Sequence, residues 1–170
     1  MASNYRLGPC QIFFKGSDLG KTFGGVRVTA AQTSVEIKTD QDGETPVDEF
    51  KTGTQIKVAG NLAEITLANF AAQFHTTVIT DGTKQKVDVV PGVGTSLMDA
   101  GGVIIIKPYV AGAVTSDANK WITLHNAGMK ASIDLGFDAT TQQVMAFEAV
   151  GYPDSSTGII ATFGDTTATA

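Results

Sequence analysis

The chain has 170 residues with 42% hydrophobic and only 17% charged side chains, so it can bury a sizeable core and is not a disordered chain. Its net charge of -5 and pI of about 4.8 exclude the basic footprint that reading a nucleic-acid sequence needs. The single cysteine, Cys10, excludes an intramolecular disulfide framework. Together with an N-terminus that has no apolar core, this points to folding in a cytoplasm. No apolar run approaches a membrane span; the longest lies near Val103 to Ile106.

In chain order, residues 1–9 read as a short polar arm ending at Gly8-Pro9. Cys10 to Lys15 is a strand apolar on both faces, followed by a turn over Gly16 to Gly20. Val26 to Thr29 is a second short strand, and Gly24-Gly25 before it permits a bulge. Thr33 to Lys38 alternates Val35 and Ile37 with polar residues, which is the period of a half-buried strand. A second alternating strand begins at Thr54. Between them the loop 40–53 is far longer than the roughly two to five residues of an ordinary hairpin.

That loop carries Asp40, Asp42, Glu44, Asp48 and Glu49 together with Val47, Phe50 and Lys51. Charges mixed with apolar anchors suit docking on a neighbour; a solvated loop packed on its own domain is the alternative. Asp40, Asp42 and Glu44 around Gly43 superficially suggest a calcium loop, but the ligand spacing of an EF-hand is not met.

Residues 66–74 read as the one α-helix. Leu67, Phe70, Ala71 and Phe74 form a single stripe expected to be core, and Thr66 is the expected N-cap. Asp81-Gly82 between β-rich runs predicts a hairpin. Pro91 to Gly102 is a Gly-rich connection, and Val103 to Val110 is a strand whose Pro108 suggests an edge. Three more strands are expected at Trp121 to Leu124, Lys130 to Phe137 and Gln143 to Tyr152. Ile159 to Phe163 adds a possible edge strand and residues 164–170 a small polar tail. The whole reads as one mainly β domain over 10–163, a sandwich or barrel with one short flanking α-helix.

The search for chemistry is negative. His75 and His125 have no nucleophile beside them in sequence, and Cys10 reads as a small packed hydrophobe. There is no P-loop, C-x-x-C or H-E-x-x-H pattern, and PGVGTS lacks the P-loop lysine. No catalytic residue, metal or cofactor is therefore assigned.

FGGVRV, an alternating strand, DQDGETPVDEFKTG, a second strand and NLAEITLANF together resemble the tail tube proteins of tailed bacteriophages. The resemblance is best over Phe23 to Phe74. It implies a β-barrel or sandwich whose copies form stacked rings, six to a ring, in the virion tail, with DNA passing through the lumen without sequence recognition. It implies partners among copies of the same chain and other tail proteins, such as a terminator, tape measure, baseplate or sheath, with no membrane.

Under that resemblance Val47 and Phe50 are the expected inter-ring anchors, and Asp48, Glu49 and Lys51 their polar partners. Glu36, Lys38, Gln55, Lys57 and Asn61 are the lumen candidates, or else an ordinary solvated strand face. A non-polymerising neck, tail-completion or decoration module is the alternative function.

Overall fold

A computed structural model describes residues 8–169, which are mainly β with one α-helix. The strands are β1 (Cys10–Phe14), β2 (Ser17–Asp18), β3 (Thr22–Ile37), β4 (Asp48–Leu62), β5 (Ile79–Asp81) and β6 (Lys84–Lys86). They continue with β7 (Gly102–Val110), β8 (Ala113–Val114), β9 (Ile122–Ala131), β10 (Met145–Tyr152) and β11 (Ala161–Phe163). Helix α1 (Leu67–Gln73) follows β4, and a one-turn 3-10 helix (Ala118–Lys120) precedes β9.

The main sheet is antiparallel in the order β2-β1-β7-β9-β10-β4-β3. β11 pairs with β9 and β8 with β7, while β5 and β6 form a separate small hairpin. That hairpin turns at Gly82, with φ of 59°, as Asp81-Gly82 predicts.

The sheet curls until its two ends share one core. Ile12 and Phe14 of β1, Ile104 and Ile106 of β7, and Leu124 and Met129 of β9 are buried in it. Met145 and Phe147 of β10 and Ile56, Val58 and Leu62 of β4 join them, with Val26 and Val28 of β3 packed alongside. Each large apolar side chain so buried contributes about 1.5–3 kcal/mol. No ladder joins β1 to β3. The seam between them is a cleft of about 530 Å³, lined in part by Cys10, Thr22, Val26, Val28 and Ile106. The expected sandwich or barrel is thus a single curled sheet, open along one seam.

Several expected boundaries change. The two short strands expected on either side of Thr29 to Thr33 are one 16-residue strand, β3. The register with β4 shifts between Phe23 and Val26, and Gly24 and Gly25 take φ of 72° and 89° there. This is a backbone that only glycine adopts freely. The loop is shorter than 40–53, because β4 begins at Asp48 and pairs with Ile37.

Ile122 to Leu124 and the first residues of Lys130 to Phe137 belong to one strand, β9, and Ser132 to Phe137 has no ladder partner. The ladder between β9 and β10 ends at Ala131 and Phe147. Just beyond it the Gln73 side chain donates to the Ala146 carbonyl at 3.0 Å. The helix occupies the place a longer ladder needs.

Pro108 lies in an interior strand, but past Ile106, where β9 stops pairing with β7. Of the expected arm, residues 1–7 lie outside the described residues, as does Ala170. Pro9 accepts from the Tyr109 amide, and the tail is tied back by the Gly164 amide donating to the Trp121 carbonyl.

The helix departs most from expectation. Thr66 caps it as predicted, accepting from the Asn69 amide at 3.1 Å. Of the expected stripe Ala71 is buried and Phe70 packs against the core, but Asn69 and Gln73, off the stripe, are buried as well. Leu67, expected in the core, is 36% exposed, and Phe70 and Phe74 are half-buried. Asn69 Nδ2 donates to the carbonyls of Leu19 and Glu64, and His75 Nε2 meets the Met129 carbonyl at 2.8 Å. The helix sits on strand ends, where backbone carbonyls lack ladder partners. Amide side chains satisfy those carbonyls and a leucine cannot, so the polar face turns inward.

Candidate assembly surface

The most unusual element is the hairpin of β3 and β4. β4 pairs with β10 only from Ile56 to Leu62, so the limb from Asp48 to Gln55 is held by β3 alone and projects beyond the body of the sheet. Val47 closes it through its amide, which donates to the Ile37 carbonyl at 2.9 Å.

Along the body of this hairpin Val26, Val28, Ile56 and Val58 face the core, while Arg27, Thr29, Gln55 and Lys57 face outward. Residue parity in β3 carries this frame into the tip, where Val35 and Ile37 fall on the outward face. In β4 one extra residue, Thr52, interrupts the register between the Thr33–Gly53 and Ser34–Lys51 pairs. The bulge flips the parity of β4, so Phe50 stands outward directly opposite Val35. Thr52 Oγ1 donates to Thr33 Oγ1 across the bulge at 3.0 Å. The apolar side of the hairpin therefore changes face at Thr52. Val35 is 51% and Phe50 57% exposed, and Ile37 and Val47 are also exposed.

The opposite face of the tip is polar. Ser34 donates to the Glu49 carboxylate, and Lys38 pairs with Glu44 at 3.1 Å and Glu36 at 3.6 Å. From Glu36 to Lys51 six carboxylates and two lysines give a formal charge of -4, nearly the whole chain's -5.

The two expected anchors and their three polar partners are contiguous, with Val47 at the turn and Asp48 to Lys51 on the first part of β4, but Glu49 and Lys51 stand on the face opposite Phe50. The five lumen candidates do not share a face. Gln55, Lys57 and Asn61 stand outward, whereas Glu36 is on the other side of the hairpin and Lys38 beyond its last ladder pair. Reading Val35 and Ile37 as inward-facing put Glu36 on the wrong side; their true neighbours are the outward residues. Val35 and Ile37 themselves are missed surface residues: their odd positions are out of step with Val26 and Val28, a signal hidden when 26–29 and 33–38 are read as two strands instead of one.

β3 is also the last strand of the sheet, and its outer border has no ladder partner among the described residues. At the other end, beyond β1, lies only the two-residue β2.

His125 Nε2 lies 2.8 Å from Thr162 Oγ1, joining β9 to β11. Burial pushes the Cys10 thiol up, away from the reactive thiolate. Lys107 lies over the rings of Phe13 and Trp121. Among the described residues no group of three or more His, Cys, Asp or Glu is placed to hold a metal ion. No helix there is long and apolar enough to cross a membrane, which says nothing of strands.

The turn from β10 to β11 is organised by Asp154, whose carboxylate accepts from the side chains and amides of Ser156 and Thr157. These bonds hold its pKa down at about 2. A depressed folded pKa stabilises at pH above the ordinary value of 3.8 and is lost as pH falls through about 2. The protection of the Ser156 and Thr157 amides, taken relative to an unstructured peptide at the same pH, should therefore hold at pH 4 and fall towards pH 2. In Asp154→Ala it should be low at every pH.

No family model matches this chain, and no curated protein matches it.

Proposed function

We propose that this chain is a structural protein that works by self-assembly, its copies forming rings that stack into a bacteriophage tail tube for the passage of DNA. One observation carries the reading: on the projecting hairpin the apolar residues Val35, Ile37 and Phe50 face away from the chain's own core. Such a patch is unfavourable in water on a lone molecule, and burial against a partner lowers the free energy.

The unpaired border of β3 supports the same reading. Sixteen residues of open strand edge invite ladder pairing with another copy. Contacts between unlike surfaces of identical copies generate rings where the rotation closes and filaments where it does not. The outward residues Gln55, Lys57 and Asn61 beside Arg27 are the candidates for a wall that DNA slides past. The work is mechanical, and the other partners are the proteins that begin, measure and end the tail.

The test is direct. Purified protein, concentrated stepwise, should show sedimentation boundaries that grow with concentration, and rings or tubes by negative-stain microscopy. A single small species at all concentrations would instead favour a neck, tail-completion or decoration module.

A further inference from the structure

The tip of the β3–β4 hairpin needs a receiving surface, and one lies at the opposite end of the same sheet. β4 and β9 flank β10 and run in the same direction. Phe147 lies between Gly60 and Ala131, and Gly151 between Ile56 and Ala127. The tip continues from Ile56 one way along this axis; Met129 to Ala131 lies the other way. There the connection between β6 and β7 lies against β9. It is flush enough that a Cβ on Gly128 would stand 2.6 Å from the Leu97 carbonyl oxygen.

This connection presents Val89, Val90 and Val93 to solvent, Val90 at 77% and Val93 at 99% exposed. Beside Val90 is an open cleft of about 480 Å³, large enough for a phenyl ring. Phe74, Leu97, Met129 and Ala131 are among its apolar lining, and Asp88 and Lys130 bring charge to it. Phe50 is the most exposed apolar residue of the tip.

Resting on the self-assembly reading above, we propose that Phe50 of one copy, flanked by Val35 and Ile37, seats in the cleft beside Val90 of the next copy. Two features select this occupant. Both apolar surfaces belong to the one chain at opposite ends of its sheet, so a single displacement along the strand axis satisfies both in every copy and repeats without limit. Charge excludes the competing arrangement: tip against tip brings two segments of -4 together, while the remainder of the chain carries almost no net charge. An aromatic anchor entering an apolar cleft with charges at its rim is the usual anatomy of a strong contact.

The test uses thiols placed on both surfaces. In a Cys10→Ala background, Asp48→Cys with Val93→Cys, which leave Phe50 and the lining of the cleft in place, should give, on mild oxidation, a ladder of covalent multimers that reductant collapses. Asp48→Cys alone should give none. Separately, Val90→Asp should raise the concentration needed for assembly by about tenfold or more, with an unchanged circular dichroism spectrum.

Dimers from Asp48→Cys alone would overturn the proposal in favour of tip against tip. Wild-type tubes that give no ladder, with a normal threshold for Val90→Asp, would place the receiving surface elsewhere and leave the tube reading standing. Failure of the unmodified chain to assemble at any concentration would defeat the tube reading first, and this inference with it.

Discussion

Replacing residues 35–50 with a two-residue Asn-Gly turn should leave a folded chain that no longer polymerises. The excision is placed where the ladder allows it, since Ser34 pairs with Lys51. A two-residue turn of that composition suits a hairpin closing at such a pair. Every core residue of this hairpin lies outside the excised segment, at Val26, Val28, Ile56, Val58 and Leu62. The thermal midpoint should therefore shift by only a few degrees. Assembly, by contrast, loses Val35, Ile37 and Phe50 at every contact. Each is worth about 1.5–3 kcal/mol once buried, so the association constant should drop by about three powers of ten or more. Sedimentation and microscopy read the loss, and circular dichroism the retained fold. Tubes of normal length from this variant would show that the hairpin tip is not the joint.

Asn69→Ala should be the most damaging single polar substitution, although the residue touches no assembly surface. Asn69 Nδ2 donates to the Leu19 carbonyl at 3.0 Å and the Glu64 carbonyl at 2.9 Å, and the residue is almost fully buried. Alanine leaves both carbonyls unpaired, at about 1–3 kcal/mol for each buried group. A loss of roughly 2–4 kcal/mol lowers the midpoint by roughly 5–15 °C in a chain of this size. Asn69→Asp keeps the volume but points a carboxylate at two carbonyl oxygens, so it should melt lower still. Thr66→Ala, which removes only the cap, should cost about 1 kcal/mol. Equal melting of the Ala and Asp variants would mean that the two donated bonds do not hold the helix in place.

What could be read from residue order depended on whether the signal was local. The Asp81-Gly82 turn, the Gly24-Gly25 bulge and the Thr66 cap each follow from the conformational demands of one or two residues, and all three stand where expected. The class of the fold was equally legible, because β-branched alternation and frequent turns leave few other outcomes. The helix face was misread because an i, i+3, i+4, i+7 stripe assumes an apolar floor. The floor under α1 is a row of strand-end carbonyls, so Asn69 and Gln73 went in and Leu67 came out.

The candidate surface divides in the same way. Residue order alone dictated that the segment joining the two strands is long, acidic and studded with apolar side chains. Only the folded chain decided that its apolar residues point outward, that Glu36 and Gln55 stand on opposite faces, and that a valine-rich loop lies at the far end of the sheet. Alternation says which side chains share a face but not which face meets the core. That reference comes from the neighbouring strands, and a single extra residue such as Thr52 reverses it.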